Sequence, residues 1–301
     1  MKSLILGGVL LLLALGLSLS SAAAAPMALA DGPIVLRDAA QHELRLEHPP
    51  HRIITLLPSL TETVCALHEC ARLIATDRYS DWPDSVKALP KTGGLDDSQI
   101  ELIVSLKPDV VILAHAPRVT DRLRELGVPT FVVETHTYAD ISRTVSAIGE
   151  LLAVADQAAS LNRDIENSVA AVAVGARRDL QGRSPLIYYE VDSGPYGAGP
   201  DSFIGELLAR LGARNILTPD LGPFPKLNPE YVVRHDPDVI FVSPQEAQNL
   251  AHRPGWDQVR AVREKRICSF APQVRDTIVR AGPRVAEGFK AMADCLERVA
   301  P

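Results

Sequence analysis

The chain has 301 residues, 47% hydrophobic and 23% charged, with 19 Gly and 23 Pro. That composition excludes a disordered, collagenous or disulfide-dense chain and leaves room for one large domain or two lobes, each with its own core. The net charge is −6 with no basic block, which argues against a nucleic-acid backbone binder.

Residues 1–30 read as a cleaved secretory signal. Lys2 is the only charge before Asp31, and an apolar run from Leu4 to Leu19 gives way to small residues. The run falls short of the about 20 residues that a bilayer span needs. Cleavage is expected after Ala28-Leu29-Ala30 or within Ala22–Ala25, and an uncleaved anchor is the alternative. The first cysteine is Cys65, so no lipoprotein anchor is expected. An exported protein keeps disulfides. Cys65–Cys70 and Cys268–Cys295 are geometrically possible among three connectivities. No C-x-x-C pair supports a zinc site.

From residue 34 the chain alternates short strands and helices. Ile34–Leu36 and Glu43–Leu46 read as a small hairpin. Arg52–Leu57 is a continuous apolar run, the mark of a strand buried on both faces. A helix is expected over Thr61–Leu67, a strand over Arg72–Thr76 and a short helix over Ile100–Leu106. Val110–Leu113 (strand), Thr120–Leu126 (helix) and Thr130–Val133 (strand) follow. This series predicts a parallel sheet covered by helices.

Residues 139–181 break the rhythm. Apolar residues at 141, 145, 148 and 152, then at 161, 165, 169 and 172, have helical spacing. Asp156 is placed to cap a long second helix running to about Leu180. Such a helix reads as a strut between lobes, the alternative being a long surface helix of a single domain. From Pro185 the α/β rhythm resumes. Strands are expected at Leu186–Val191, Val239–Val242 and Arg266–Phe270, with helices at Ser202–Leu211 and Gly288–Val299. The predicted organisation is a signal at 1–30, an N-terminal α/β lobe at 31–152, a linking helix at 153–182 and a C-terminal α/β lobe at 183–301.

One repeat supports two like lobes. Glu101 precedes Pro108-Asp109-Val110-Val111 by the spacing at which Glu230 precedes Pro237-Asp238-Val239-Ile240, and Gly93 and Gly222 keep the offset.

Ligands of open parallel sheets sit outside the carboxyl ends of the strands. Residues expected there include Tyr79, Trp82, His115, His136, Asp192, Tyr196, Arg275, Asp276 and Arg280. Rings with a few charges suit a mid-sized organic ligand better than a bare ion. His115 and His136 would suit zinc or manganese if their loops converged on an acid. There is no G-x-S-x-G and no Walker A, and Gly197-Ala198-Gly199 lacks the third glycine of a dinucleotide fingerprint, so no enzyme activity is expected.

The segments RIITLLPSLTE at 52–62, RYSDWP at 78–83, GLDDSQIELIVSLKPDVVI at 94–112 and AGPR at 281–284 carry a resemblance to the periplasmic substrate-binding proteins of the iron-chelate and cobalamin ABC importers. The resemblance implies two Rossmann-like α/β lobes joined by one long backbone helix. It implies a periplasmic monomer that binds its cargo between the lobes and hands it to an ABC permease and, through it, to an ATPase. RYSDWP is most similar to the cobalamin-binding branch. On that likeness Tyr79 would contact the corrin, as would Asp276, Thr277, Ile278, Val279 and Arg280. Trp82 and Tyr196 are expected to complete the site. Glu101 and Glu230 would pair with permease arginines. Haem or a ferric siderophore is the alternative ligand, and a metal ion on His115 and His136 a more remote one. No resident cofactor is expected. Three features depart from the branch: no Trp precedes Gly93, segment 276–280 holds no aromatic residue, and Leu211 stands near where a disulfide partner of Cys295 would be.

Overall fold

The computed structural model describes residues 32–192 and 194–300, so the signal expected over 1–30 lies outside the described residues. Strand β1 (Ile34–Arg37) and β2 (Glu43–Leu46) form an antiparallel hairpin. Then come β3 (Ile53–Thr55), α1 (Pro58–Ala66), β4 (Leu73–Thr76), α2 (Ile100–Ser105), β5 (Val110–Ala114), α3 (Pro117–Glu125) and β6 (Thr130–Val133). Their strands form one parallel sheet in the order β4-β3-β5-β6. Strand side chains alternate between faces, and the two cores of this lobe follow that period. Ile53, Val110, Ile112, Phe131 and Val133 enter one core, while Ile54, Val111, Leu113 and Val132 enter the other.

Two helices then leave the sheet, α4 (Tyr138–Leu151) and α5 (Ala155–Asp179). Thr137 and Asp140 close a capping box on α4, which satisfies backbone donors at its start. The 25 residues of α5 span about 37 Å at 1.5 Å per residue. Ala158 packs in the first lobe, whereas Ile165, Val169 and Ala176 pack in the second, and Leu161 touches both cores. The helix is therefore a strut. Its cap differs from expectation: Val154 holds the N-cap position without a side-chain bond, and Asp156 lies in the first turn, where the helix dipole favours a carboxylate.

The second lobe comprises β7 (Leu186–Asp192), β8 (Tyr196–Gly197), α6 (Phe203–Arg210), β9 (Arg214–Asn215), α7 (Pro229–His235), β10 (Val239–Val242), α8 (Pro244–Asn249), α9 (Arg260–Arg263), β11 (Ile267–Ser269), α10 (Pro272–Val279) and α11 (Val285–Val299). The sheet order is β11-β10-β7-β8, with β9 beside β7. Strands β7, β10 and β11 are parallel, and β8 runs antiparallel to β7. Tyr138 and Ile141 of α4 already sit in this lobe's core. Among the described residues no helix is long and apolar enough to cross a membrane.

The repeat has a structural meaning. Gly93 and Gly222 both adopt positive φ, at 96° and 84°, a conformation that side-chain-bearing residues disfavour. Asp109 accepts hydrogen bonds from the His51 and Arg52 amides and so fixes the start of β3. Asp238 accepts one from the Leu186 amide and fixes the start of β7. Each Pro-Asp thus hooks its own strand to the neighbouring one. Two disulfides are present. Cys65–Cys70 closes the turn after α1, and Cys268–Cys295 ties β11 to α11.

Candidate ligand cleft

The loop after β4 is built on a buried polar base. Thr61 Oγ1 lies 2.6 Å from Thr55 Oγ1 and 2.7 Å from Ser80 Oγ. Asp77 accepts from the Tyr79 amide at 2.8 Å and from the Ser80 hydroxyl. Burial pushes the Asp77 carboxyl above its ordinary value, and the hydrogen bonds from Ser80 and Tyr79 oppose that. Lys91 Nζ donates to Thr76 Oγ1, the Ser80 carbonyl and the Val86 carbonyl. Burial lowers its amine against the attraction of Asp77. This fixed base turns two rings outward: Tyr79 is 62% exposed and Trp82 40%.

The second lobe meets that loop through the residues after α10. Arg280 Nη1 donates to Glu62 Oε1 at 2.8 Å and to Asp81 Oδ1 at 2.9 Å. Its Nη2 donates to Asp276 Oδ2 at 2.8 Å and to the Tyr79 carbonyl at 3.3 Å. Arg284 grips the same Glu62 through Nε at 2.9 Å and Nη2 at 2.7 Å, and its guanidinium lies 4.5 Å from the Trp82 ring centre. The Glu62 side chain is only 1% exposed, against 12% for Arg280 and 11% for Arg284. A buried carboxylate is tolerable only when paired in this way. Gly282 permits the close approach, because a Cβ there would come within 3.1 Å of the Ser59 Cβ. Burial raises the Asp276 carboxyl, and the Arg280 charge opposes the rise.

A second bridge lies at the start of α4. The Tyr138 amide donates to Glu206 Oε2 at 2.7 Å, and the Phe203 amide donates to the His136 carbonyl at 2.9 Å. Between the two bridges is a cavity of about 310 Å³ lined by Ser59, His115, Glu134, His136, Phe203 and Arg280. A larger cavity of about 480 Å³ sits at the ends of β7, β10 and β11, lined by Glu190, Asp192, Ser243, Glu246, Phe270 and Arg275. There Arg253 donates to both Glu190 oxygens, at 2.6 and 2.7 Å, and to Glu246 at 2.6 Å.

Tyr79, Trp82, Asp276 and Arg280 therefore meet at one interlobe junction, and Val279 lines the adjoining cavity. Three further expected residues lie elsewhere. The Ile278 side chain is fully buried in the second core, and the Thr277 hydroxyl donates to the Val274 carbonyl within α10, so neither offers its side chain to the cleft. Tyr196 lies on β8 with Lys226 Nζ 5.8 Å from its ring centre, and among the described residues no ring contact joins it to Tyr79 or Trp82. His115 Nδ1 and His136 Nε2 each lie 3.8 Å from a Glu134 oxygen, so their loops do converge. Among the described residues no three His, Cys, Asp or Glu side chains are grouped to hold a metal ion. Glu101 and Glu230 are exposed, each the second residue of a short helix, α2 and α7.

Sequence reasoning missed Glu62 and Glu134. Glu62 lies between Thr61 and Thr63 in α1, and no local signal marks it as buried.

With this geometry the family follows. The family model described as periplasmic binding protein matches residues 53–274. The chain belongs to the periplasmic binding protein family. The ABC transporter substrate-binding lipoprotein YvrC of Bacillus subtilis (strain 168) is 25% identical over 274 residues, covering 88% of this chain and 85% of the relative. A cobalamin-binding protein of Halobacterium salinarum (strain ATCC 29341 / DSM 671 / R1) is 29% identical over 215 residues, 69% of this chain but only 58% of the relative. Among solved structures, the periplasmic heme-binding protein RhuT from Roseiflexus sp. RS-1 superposes with a TM-score of 0.73 at 23% identity, over 83% of this chain and 99% of the other. At that identity the likeness shows the fold. As a member of this family the protein is a binding protein with two lobes.

Proposed function

We propose that this periplasmic binding protein is the receptor of an ABC importer and that it carries cobalamin or a related corrin to the permease. In this reading the lobes are residues 31–152 and 183–301 with 153–182 between them, and the product is exported after removal of 1–30. The observation that carries the reading is the pair of exposed rings, Tyr79 and Trp82, held at the interlobe junction beside Asp276 and Arg280. Flat apolar faces backed by polar groups suit a large ring system that carries amide side chains. The cobalamin-binding name of the Halobacterium salinarum relative supports the same choice. Val279 and Arg280 supply the second-lobe contacts, with Tyr196 at the margin. Glu101 and Glu230 dock the permease, and an ATPase drives it. The receptor binds and releases, and no bond is made or broken.

One observation favours a second ligand. His115 and His136 line the interlobe cavity, and imidazoles there suit the iron of haem. The visible spectrum of the purified protein and titration calorimetry with cyanocobalamin, ferric haem and a ferric siderophore separate the readings. Cyanocobalamin is expected to bind below micromolar concentration. Its failure to bind while haem binds would overturn the corrin assignment and leave the receptor assignment standing.

A further inference from the structure

The cleft's charges bear on which version of such a ligand it accepts. At the junction three carboxylates, Glu62, Asp81 and Asp276, face two guanidiniums, Arg280 and Arg284. The larger cavity is lined by Glu190, Asp192, Glu246 and Arg275, and Arg253 pairs with Glu190 and Glu246 there. Glu134 adds a further acid between two histidines. Arg280 already donates to three carboxylates and a carbonyl, and Arg284 is spent on Glu62 and the Trp82 face. To serve a ligand carboxylate, either arginine would have to release Glu62. That would leave a buried carboxylate short of its partners, an outcome that protein interiors penalise heavily. Asp81, by contrast, is 58% exposed and has lone pairs left to accept N–H donors.

Building on the receptor reading above, we infer that the cleft selects uncharged, amide-bearing ligands over their carboxylate counterparts, and that Glu62 sets this preference by keeping the charges of Arg280 and Arg284 committed to the protein's own carboxylates. Glu62 is a positioning residue here, since it is buried and acts through the two arginines. Discrimination of this kind rests on a repulsive element as much as on an attractive one.

The test uses matched pairs on the wild-type protein, read by titration calorimetry at neutral pH. The pairs are cyanocobalamin against its monocarboxylic acid with one side-chain amide hydrolysed, and ferric haem bis-amide against ferric haem. The acid member is expected to bind about tenfold more weakly than its amide in whichever pair binds. Equal or tighter binding of the acid overturns the inference. Failure of both corrins with binding of the haem pair overturns the corrin reading alone, and the charge preference is then read from haem. A cleft that binds neither pair overturns both. Glu62→Gln is expected to reduce the amide-to-acid ratio of affinities from about tenfold to near unity. Asp81→Asn, at an exposed site that does not endanger folding, is expected to reduce it by about threefold. An unchanged ratio in Asp81→Asn together with a folded, unchanged Glu62→Gln would also overturn it. A merely structural role for Glu62 would alter both affinities alike and leave the ratio untouched.

Discussion

The two lobes share one frame and differ in what they put at its rim. Both have a glycine of positive φ, a short helix with an exposed glutamate and a Pro-Asp hook on a buried strand. Past the strand ends the likeness stops. The first lobe presents rings, Tyr79 and Trp82, on a fixed base of hydroxyls around Asp77. The second presents charge, with Asp276, Arg280 and Arg284 reaching across to Glu62. What the lobes repeat fixes their strands, and what they do not repeat lies at the junction between them, where the proposed ligand would sit. Three experiments break or sharpen that division.

The largest effect is expected where the halves meet. Glu62→Ala removes the acid that two second-lobe arginines grip and leaves both largely buried cations without that shared partner. Breaking such a pair costs about 3–5 kcal/mol. Thermal or urea unfolding would measure this, and small-angle scattering would report whether the lobes part. A loss below about 1 kcal/mol would mean that the α5 strut and the Tyr138–Glu206 bridge hold the lobes without the junction.

That junction also marks the limit of what the sequence shows. Strands buried on both faces, such as 53–55, 110–114 and 130–133, are visible as apolar runs. The strut is visible because its apolar residues keep one helical face through 161, 165, 169 and 172. The short helices α8, α9 and α10 are not. They hold four to eight residues, too few for a period to register, and α8 and α10 open on proline, which reads as a break. The same applies to the two-residue strands β8 and β9. Tyr79 and Trp82 are legible as candidates from their place after a strand, and the structure leaves both rings exposed. Glu62 is not, because its partners Arg280 and Arg284 lie 218 and 222 residues away. Nothing local distinguishes an acid that will be buried from one on a helix surface. Ile278 is the opposite case. The segment 276–280 reads in the sequence as one contact strip, yet in α10 successive side chains point in different directions, and Ile278 falls on the core side.

The hooks give the next effect and compare the lobes directly. Asp238 is nearly buried and binds both the Leu186 amide and Arg260, the latter at 2.6 Å. Asp109 is more open and binds two backbone amides. Asp238→Ala is expected to cost about 2–3 kcal/mol and Asp109→Ala about 1 kcal/mol, because burial raises the penalty for a lost charged hydrogen bond and solvent screens the exposed one. Urea unfolding of the two variants would check the order. Equal losses would mean that burial does not distinguish the two hooks, so that the repeat is energetically as well as geometrically symmetric.

The last effect, on association and not on stability, concerns the outer face. Glu101 and Glu230 occupy matched positions on α2 and α7, both exposed, and among the described residues neither forms an ion pair. If both lobes dock on one permease, reversing either charge should hurt about equally. Rim charges steer encounter more than they hold a complex. Glu101→Lys and Glu230→Lys are each expected to slow association with the permease about tenfold, worth about 1.4 kcal/mol, with the double reversal abolishing it. The slowing should shrink at high salt, since exposed charges are screened beyond about 10 Å. Ligand affinity should not change, because neither glutamate lines either cavity. Association rates with the reconstituted permease at two ionic strengths, beside a ligand titration of each variant, would decide it. If one reversal matters and the other does not, only one lobe docks. The repeated glutamate would then be an inherited helix-start residue, favoured by the dipole alone.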